Sequence, residues 1–374
     1  MSVSNNNFFH LAAPGVQALQ PYLPGKSVAE LEREYAISNI IKLASNENPF
    51  GPSPMAVAAA SAVLDDLSRY PEGNAWLLAG ELAAKHQLEQ ACITLGNGSN
   101  DVLDLIARVF LTADHEAVFS QYAFAVYPIV VQAIGAKARI AAAHDGSTGP
   151  AYGHDLEAMN ELVGPDTRLV FIANPNNPTG TWLESDALEA FVANLPAHVI
   201  VVVDEAYFEY VDKASYPDTS SWLSRFPNLI VTRTFSKAYG LAGLRVGYAL
   251  SHPDIADLLN RVRQPFNVNS IAQVAAVAAL GDDEYLQQSI RRNRDGMEQL
   301  VSGFRKLGLP YIESAGNFVA VETGAGMERY EALLQKGIIV RPVANYAMPD
   351  HLRVTVGRAD ENARLLAALE QVLS

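Results

Sequence analysis

Lys237 stands in the run Thr234-Phe235-Ser236-Lys237-Ala238-Tyr239-Gly240-Leu241-Ala242-Gly243-Leu244-Arg245. An amine can capture an aldehyde as an imine, while the Ser236 hydroxyl and the Arg245 guanidinium can hold a phosphate by hydrogen bonds and charge. The combination suits a phosphorylated aldehyde cofactor, pyridoxal phosphate. The run also reads as a surface lysine on a loop rich in Gly and Ala. Asp204 closes the apolar run Val199-Ile200-Val201-Val202-Val203. A carboxylate at the end of a buried strand needs a partner. A pyridinium nitrogen is one, and an ionised Asp beside it keeps the ring an electron sink. A helix cap or a structural ion pair is the alternative. Tyr207, three positions on, can hydrogen-bond the same cofactor's phenolic oxygen.

Three further segments carry polar groups suited to such a ligand. Asn174-Pro175-Asn176-Asn177-Pro178-Thr179-Gly180 forces a tight turn at a strand end. Asn177 can donate to the phenolic oxygen, and either Asn-Pro bond can be cis. Gly96-Asn97-Gly98-Ser99-Asn100-Asp101 joins a strand to a helix, where free N–H groups bind anions; a plain Gly-rich turn would look the same. Tyr122 opens the next strand–helix pair and can stack on an aromatic ring or simply pack in the core. Arg353 alternates with apolar residues in His351-Leu352-Arg353-Val354-Thr355-Val356, a costly placement unless it faces an anion. Arg341 is a second candidate. For both, an edge-strand arginine in solvent is the plain reading.

The elements that must position these residues follow an alternating pattern. Strand-like runs at 91–95, 116–119, 136–142, 168–173, 198–204, 228–234 and 245–250 alternate with helical segments such as 100–110, 122–134 and 184–193. Continuously apolar strands belong to a parallel sheet buried on both faces. The pattern predicts an α/β fold, with helices on both sides of the sheet and ligands at the carboxyl ends of its strands. After about 265 come long helical stretches, then short strands and a closing helix at 361–373, which reads as a smaller α+β domain. The first 45 or so residues are irregular and pack onto it. The loop at 144–152 is rich in Gly. The expected division is therefore a large cofactor domain over 46–265 and a small domain made of 1–45 and 266–374.

Bulk properties exclude several classes. The chain has 374 residues, 49% hydrophobic and 18% charged, which suits about two packed domains. Its 27 basic and 41 acidic residues give −14, unsuited to wrapping nucleic acid. Cys92 is the single cysteine. It excludes an intramolecular disulfide and a cysteine-based metal site, and the histidines lack metal-ligand spacing. No metal is expected. The opening residues lack a secretion signal and no apolar run reaches the ~20 residues of a membrane span, so no membrane contact and cytoplasmic residence are expected.

Taken in order and spacing, these segments resemble the fold-type I aminotransferases that use pyridoxal phosphate, and within them the histidinol-phosphate aminotransferase group. The resemblance covers nearly the whole chain. It includes Pro21-Tyr22-Leu23-Pro24-Gly25-Lys26, Leu43-Ala44-Ser45-Asn46-Glu47-Asn48-Pro49 and Arg69-Tyr70-Pro71-Glu72-Gly73. It implies a three-layer large domain with a mostly parallel seven-stranded sheet, and a homodimer with shared active sites. Lys237 then carries the cofactor and moves the proton, and Asp204 pairs with the ring nitrogen. Asn177 and Tyr207 hold the phenolic oxygen, and Tyr122 stacks on the ring. Ser99, Asn100, Thr234, Ser236, Arg245 and the Tyr70 of the other subunit bind the phosphate. Arg353, Arg341, Tyr22 and Asn46 form the substrate site. The implied reaction is ping-pong transamination between L-histidinol phosphate and 2-oxoglutarate, giving imidazole acetol phosphate and glutamate.

The substrate leaves a tension. Histidinol phosphate has no carboxylate and glutamate has, so Arg353 must serve a phosphate in one half-reaction and a carboxylate in the other. An aromatic amino acid aminotransferase would avoid this, and Arg341-Pro342-Val343-Ala344-Asn345-Tyr346 is reminiscent of a subgroup where the two activities overlap. A phosphothreonine decarboxylase of the same fold is a further alternative. A binding protein that has lost catalysis would be marked by loss of Lys237 or Asp204, and both are present.

Overall fold

The structure is a computed structural model and describes residues 8–373; the opening residues 1–7, read above for a secretion signal, and Ser374 lie outside the described residues. The strands, in chain order, are β1 (Ile41–Lys42), β2 (Ile93–Gly96), β3 (Glu116–Ser120), β4 (Lys137–Ala141), β5 (Thr167–Ala173) and β6 (Ile200–Asp204). They continue as β7 (Leu229–Thr234), β8 (Gly247–Ser251), β9 (Phe318–Glu322), β10 (Ile338–Ile339), β11 (Arg341–Pro342) and β12 (His351–Thr355). Seven form one sheet in the order β2-β8-β7-β6-β5-β3-β4. All neighbours run parallel except β8, which is antiparallel to both β2 and β7.

The apolar strands are explained by burial on both faces. In β6, Val201 and Val203 point into one core cluster and Val202 into another. In β7, Leu229 and Val231 join the first cluster and Ile230 the second. Period-2 alternation therefore continues, but both faces are dry, so the polar half of the usual pattern is lost. Helices Trp76–His86, Ser185–Asn194 and Ser270–Leu280 cover one face, and Ser99–Phe110, Val126–Ile134 and Pro253–Val262 cover the other. This is the expected three-layer α/β arrangement. Each fully buried Val, Leu or Ile contributes roughly 1.5–3 kcal/mol relative to exposure.

A separate cluster gathers the chain's two ends. Leu31, Ile41 and Leu43 pack with Leu300, Phe304, Val319, Leu333, Ile338, Val354 and Leu365. Strand β1 pairs in parallel with β10, and β11-β12-β9 form an antiparallel three-stranded sheet. The opening segment is more ordered than its sequence suggests. Val28–Tyr35 is a helix, begun by a reciprocal cap in which Ser27 Oγ accepts from the Glu30 N–H and Glu30 reaches back to the Ser27 N–H. Spacing Ser-x-x-Glu is the sequence signal for that cap. A second difference lies at 122–125. The expected helix starts only at Val126, so Tyr122 to Ala125 form a turn between β3 and that helix. Both Asn174-Pro175 and Asn177-Pro178 are cis.

One ion pair lies wholly inside this frame. Arg233 of β7 is 2% exposed and Glu205 0%. Arg233 Nε and Nη2 donate to Glu205 Oε2 at 2.9 and 2.7 Å, and Nη2 also donates to Asp218 at 2.7 Å. Thr219 Oγ1 donates to the other Glu205 oxygen at 2.6 Å. The guanidinium carbon lies 3.5 Å from the Phe208 ring centre. Removing one partner strands a buried charge, which costs about 3–5 kcal/mol. Arg233→Ala is therefore expected to lower the unfolding free energy by that amount in urea titrations; an unchanged midpoint would show that Thr219 alone suffices for Glu205.

Candidate functional site

Strand β7 delivers the lysine. It ends at Thr234, and the fully buried Phe235 continues the pairing through its N–H to Val246 O at 3.1 Å. The Ser236 N–H donates to Thr234 Oγ1 at 3.1 Å, which bends the chain so that Lys237 turns into the protein. Lys237 Nζ donates to Ser45 O at 3.2 Å and sits 5.7 Å from the centre of the Tyr207 ring. Burial, and then the nearby Arg353 cation, bring its pKa down to about 7, against the opposing pull of Glu47 and Asp204.

An anion cradle lies beside it. Gly98 precedes the helix Ser99–Phe110 with φ of +88°, and a Cβ there would come within 2.3 Å of Arg245 Nη2. A side chain there would push that guanidinium aside, and the left-handed φ favours glycine in any case. Arg245 itself has left-handed backbone, φ +56°, and its Nη1 donates to Ser236 Oγ at 3.3 Å and Ala242 O at 3.1 Å. Such backbone costs a non-glycine residue roughly 1–2 kcal/mol, so the surrounding contacts must hold it. Ser99, Asn100, Thr234, Ser236 and Arg245 line the same cavity of about 190 Å³ as Lys237 and Asp204. Hydroxyls, a guanidinium and a helix N-terminus together suit a phosphate.

Asp204 is buried at the carboxyl end of β6. Tyr127 O–H donates to its Oδ2 at 2.9 Å and Thr232 O–H to its Oδ1 at 3.0 Å. Burial raises its pKa, and those donors with the Ala206 N–H and the Lys237 charge pull the other way. Near it, Asn46 Nδ2 donates to Tyr207 Oη at 2.9 Å, and Thr355 of β12 fixes Asn46 through its N–H at 2.9 Å and its Oδ1 at 3.2 Å. The Tyr207 phenol stays protonated, its pKa pushed up to about 12 by burial. Its proton is available to an acceptor in the cavity. Arg353 is buried, with Nη1 donating to Asn177 Oδ1 at 2.5 Å and Nη2 to Ala44 O at 2.6 Å. Its Nε is buried and has no hydrogen-bond partner among the described residues. Because Asn177 Oδ1 is engaged, the Asn177 Nδ2 is the end that can donate to a ligand.

Tyr22, Asn46, Arg341 and Arg353 line this cavity as well. Two of the sequence candidates do not. The Tyr122 ring packs against Tyr152, 5.2 Å between centres, while Phe124 stands on the cavity wall. The turn at 122–125 moves the wall position two residues on, so the ring suited to stacking is Phe124. Tyr70 is 83% exposed and stacks on Phe266 at 4.8 Å, away from its own chain's cavity. Tyr127, Thr232 and Thr355 support the site and were not read from sequence. Tyr127 and Thr232 carried no signal beyond a polar atom in an apolar run. A larger cleft, about 930 Å³, lies between the loop around Tyr152 and the segment at Tyr311; among the described residues no lysine or arginine lines it.

The protein-family model described as aminotransferase class I and II matches residues 38–369. The chain belongs to that family. It is 57% identical over 369 residues to the protein of Nitrosococcus oceani named histidinol-phosphate aminotransferase 1, covering 98% of each chain. It is 57% identical over 373 residues to that of Pseudomonas aeruginosa named histidinol-phosphate aminotransferase 2, covering 99% of each. Among solved structures, it is similar to the histidinol-phosphate aminotransferase of Sinorhizobium meliloti in complex with pyridoxal 5'-phosphate, with TM-score 0.88, 31% identity, and 96% and 97% of the two chains covered.

The aminotransferase's own residues fit that cofactor. A lysine amine, a phosphate cradle and a buried carboxylate surround one cavity, and a Cβ at Gly98 would displace the Arg245 side of the cradle. Capturing an aldehyde needs the neutral amine. The rate at which the cofactor-free aminotransferase captures pyridoxal phosphate is therefore expected to rise with pH through about 7, not through the 10.5 of an ordinary lysine. Arg353→Met removes the cation that disfavours the charged amine, so the limb should move to higher pH. Absorbance stopped-flow measures both; a limb near 10 in the unaltered protein would contradict the Lys237 environment.

Proposed function

We propose that this aminotransferase moves the amino group of L-histidinol phosphate to 2-oxoglutarate through pyridoxal phosphate, giving imidazole acetol phosphate and glutamate by a ping-pong route. The observation that carries the reading is a pair of arginines. Arg341 and Arg353 stand directly opposite in the register of β11 and β12, and both line the cavity that holds Lys237. Two guanidiniums suit a phosphate better than a single carboxylate needs. The names of the relatives point the same way.

Pyridoxal phosphate, when bound, supplies the electron sink for negative charge at the substrate's α-carbon. Lys237 would hold the cofactor's aldehyde carbon through Nζ, and the same Nζ, when free, would take up and return the substrate's α-proton. Its lowered pKa, about 7, leaves a large share of Nζ neutral near neutral pH for that work. Asp204 keeps a proton on the ring nitrogen. Asn177 and Tyr207 donate to the phenolic oxygen, and Ser99, Asn100, Thr234, Ser236 and Arg245 bind the phosphate. Phe124 covers one ring face. Asn46 positions Tyr207 and borders the substrate. Tyr22 and Arg341 complete the pocket for the substrate's phosphate, with Arg353 gripping its anion.

The proposal includes a homodimer in which Tyr70 reaches the phosphate in the other subunit; the exposure of Tyr70 and its stacking outside its own cavity support this. It also divides the chain into a large domain over 46–265 and a small one from 1–45 and 266–374; the separate cluster joining 31–44 with 300–369 supports the small domain, whereas the helix Ser270–Leu280 packs on the large sheet and carries the large unit past 265. A second reading, transamination of aromatic amino acids, is favoured by the rings of Tyr22, Phe124 and Tyr207 along the cavity.

A single-turnover experiment separates the two. Cofactor-loaded protein is mixed, without a keto acid, with histidinol phosphate and separately with phenylalanine, and conversion of the cofactor to its amine form is followed by absorbance. Fast conversion with histidinol phosphate alone is expected; equal or faster conversion with phenylalanine would overturn the proposal in favour of the aromatic reading. Arg341→Ala should raise KM for histidinol phosphate about tenfold or more, as loss of hydrogen bonds to a charged group implies, and Lys237→Ala should abolish turnover while leaving the unfolding temperature near that of the parent.

A further inference from the structure

Behind Asp204 lies an aromatic side chain that does not line the cavity. Tyr127 belongs to the helix Val126–Ile134 and is 0% exposed. Its ring stacks on Phe171 at 4.8 Å and 12°, and meets the cavity-wall ring of Phe124 edge-on at 5.9 Å and 89°. Phenylalanine would pack in the same place. A buried hydroxyl is costly unless bonded, and this one donates to Asp204 Oδ2 at 2.9 Å. Thr232 approaches the other oxygen from β7 at 3.0 Å. Asp204 and Thr232 are paired across the β6–β7 register, so this second donor is placed by the sheet itself.

We propose that Tyr127 is a positioning residue, whose hydroxyl together with that of Thr232 orients the Asp204 carboxylate and selects its charged form for the cofactor's ring nitrogen. The inference rests on the reading that Asp204 faces that nitrogen. Its physical basis is the kind of partner present. Two O–H groups and the Ala206 N–H approach the carboxylate, and all of them donate. A protonated carboxyl would have to donate in return, and hydrogen bonds made to the charged form favour that form. Tyr127 stays a donor, because burial and the adjoining Asp204 charge hold its phenol well above its usual range. The other titratable groups near the pair are Lys237 from the loop after β7, Tyr207 from the turn after β6, and Tyr346 on the Tyr127 side. These remain in place when Tyr127 is changed.

The test uses Tyr127→Phe, Thr232→Val, Asp204→Asn, and the double variant Tyr127→Phe with Asp204→Asn. Pyridoxal-phosphate affinity of each cofactor-free protein is measured across pH, beside its thermal unfolding. In Tyr127→Phe the affinity is expected to fall on the order of ten- to a hundredfold, the weight of a hydrogen bond to a charged group. The acid limb of binding should move to higher pH, because losing a donor raises the Asp204 pKa. In the Asp204→Asn background, Tyr127→Phe should change the affinity little further. Thr232→Val carries the same expectation and stands in if Tyr127→Phe does not fold. If Asp204→Asn binds the cofactor like the parent, the reading of Asp204 fails and this inference falls with it. If Asp204→Asn binds weakly while Tyr127→Phe keeps both affinity and limb, the inference alone is overturned. A full additional loss in the double variant overturns it too, since Tyr127 would then act through packing.

Discussion

A carboxylate held at the end of a dry strand governs this structure. Asp204 closes β6, whose other residues lie in apolar clusters on both sides of the sheet. Water cannot solvate a charge there, so the protein must supply donors. Tyr127 comes from a helix on one face, Thr232 from the neighbouring strand, and the Ala206 N–H from the turn that follows β6. The same demand leaves room for a cationic donor in the cavity. On the proposed reaction that donor is the ring nitrogen of the cofactor. The need to keep Asp204 charged thus links the core packing to the chemistry.

The next residue shows how the sheet sorts charge. Asp204 and Glu205 are adjacent acids, yet their side chains go to different partners. In β7 the pattern Thr232-Arg233-Thr234 alternates in step. Thr232 and Thr234 serve the cavity side, the first at Asp204 and the second on the cavity wall, while Arg233 meets Glu205. Side chains alternate across a strand, so the period of 2 separates a structural ion pair from a site carboxylate without any insertion or bulge. Slipping the β6–β7 register by one residue would exchange these partners and leave two buried charges mismatched. The pair Arg233–Glu205 consequently acts as a register lock for β7, the strand that leads into the Lys237 loop.

Much of this was legible in the sequence, for identifiable reasons. Lys237 and Arg245 were legible because an amine beside a hydroxyl, followed by a guanidinium, suits a phosphorylated aldehyde, whereas Gly98 was not, since a plain Gly-rich turn reads the same. The parallel sheet was legible because strands such as 199–203 are apolar without interruption. Phe124 was not, because the apolar run from 122 continues a helical pattern; the turn that breaks it comes from tertiary placement at the end of β3. Tyr127 was hidden for the opposite reason. At its position on the helix an aromatic ring belongs in the core, and the sequence carries no mark of where the hydroxyl points. The helix at Val28–Tyr35 was readable from Ser27 and Glu30, yet its low apolar content masks it, since only Leu31 is buried.

The two arginines that line the cavity, Arg353 and Arg341, differ in how they are held, and on the proposed reaction the difference bears on how one pocket can serve two anions. Arg353 is gripped by Asn177 and Ala44 and lies over the Phe318 ring, 5.4 Å from its centre. A guanidinium fixed in this way presents the same donors to any anion, whether carboxylate or phosphate. Arg341 sits on the two-residue β11, and its contacts are Leu23 O at 2.7 Å and the Tyr22 ring at 5.7 Å, both from a largely exposed segment. A phosphate has a further oxygen to satisfy beyond the two of a carboxylate, and a second guanidinium is what it needs. On the proposed reaction, Arg353 therefore provides the affinity common to both half-reactions, and Arg341 provides the preference for phosphate over carboxylate. The tension between a donor without a carboxylate and an acceptor with one is then resolved by dividing the work, with the rigid arginine shared and the peripheral one specific.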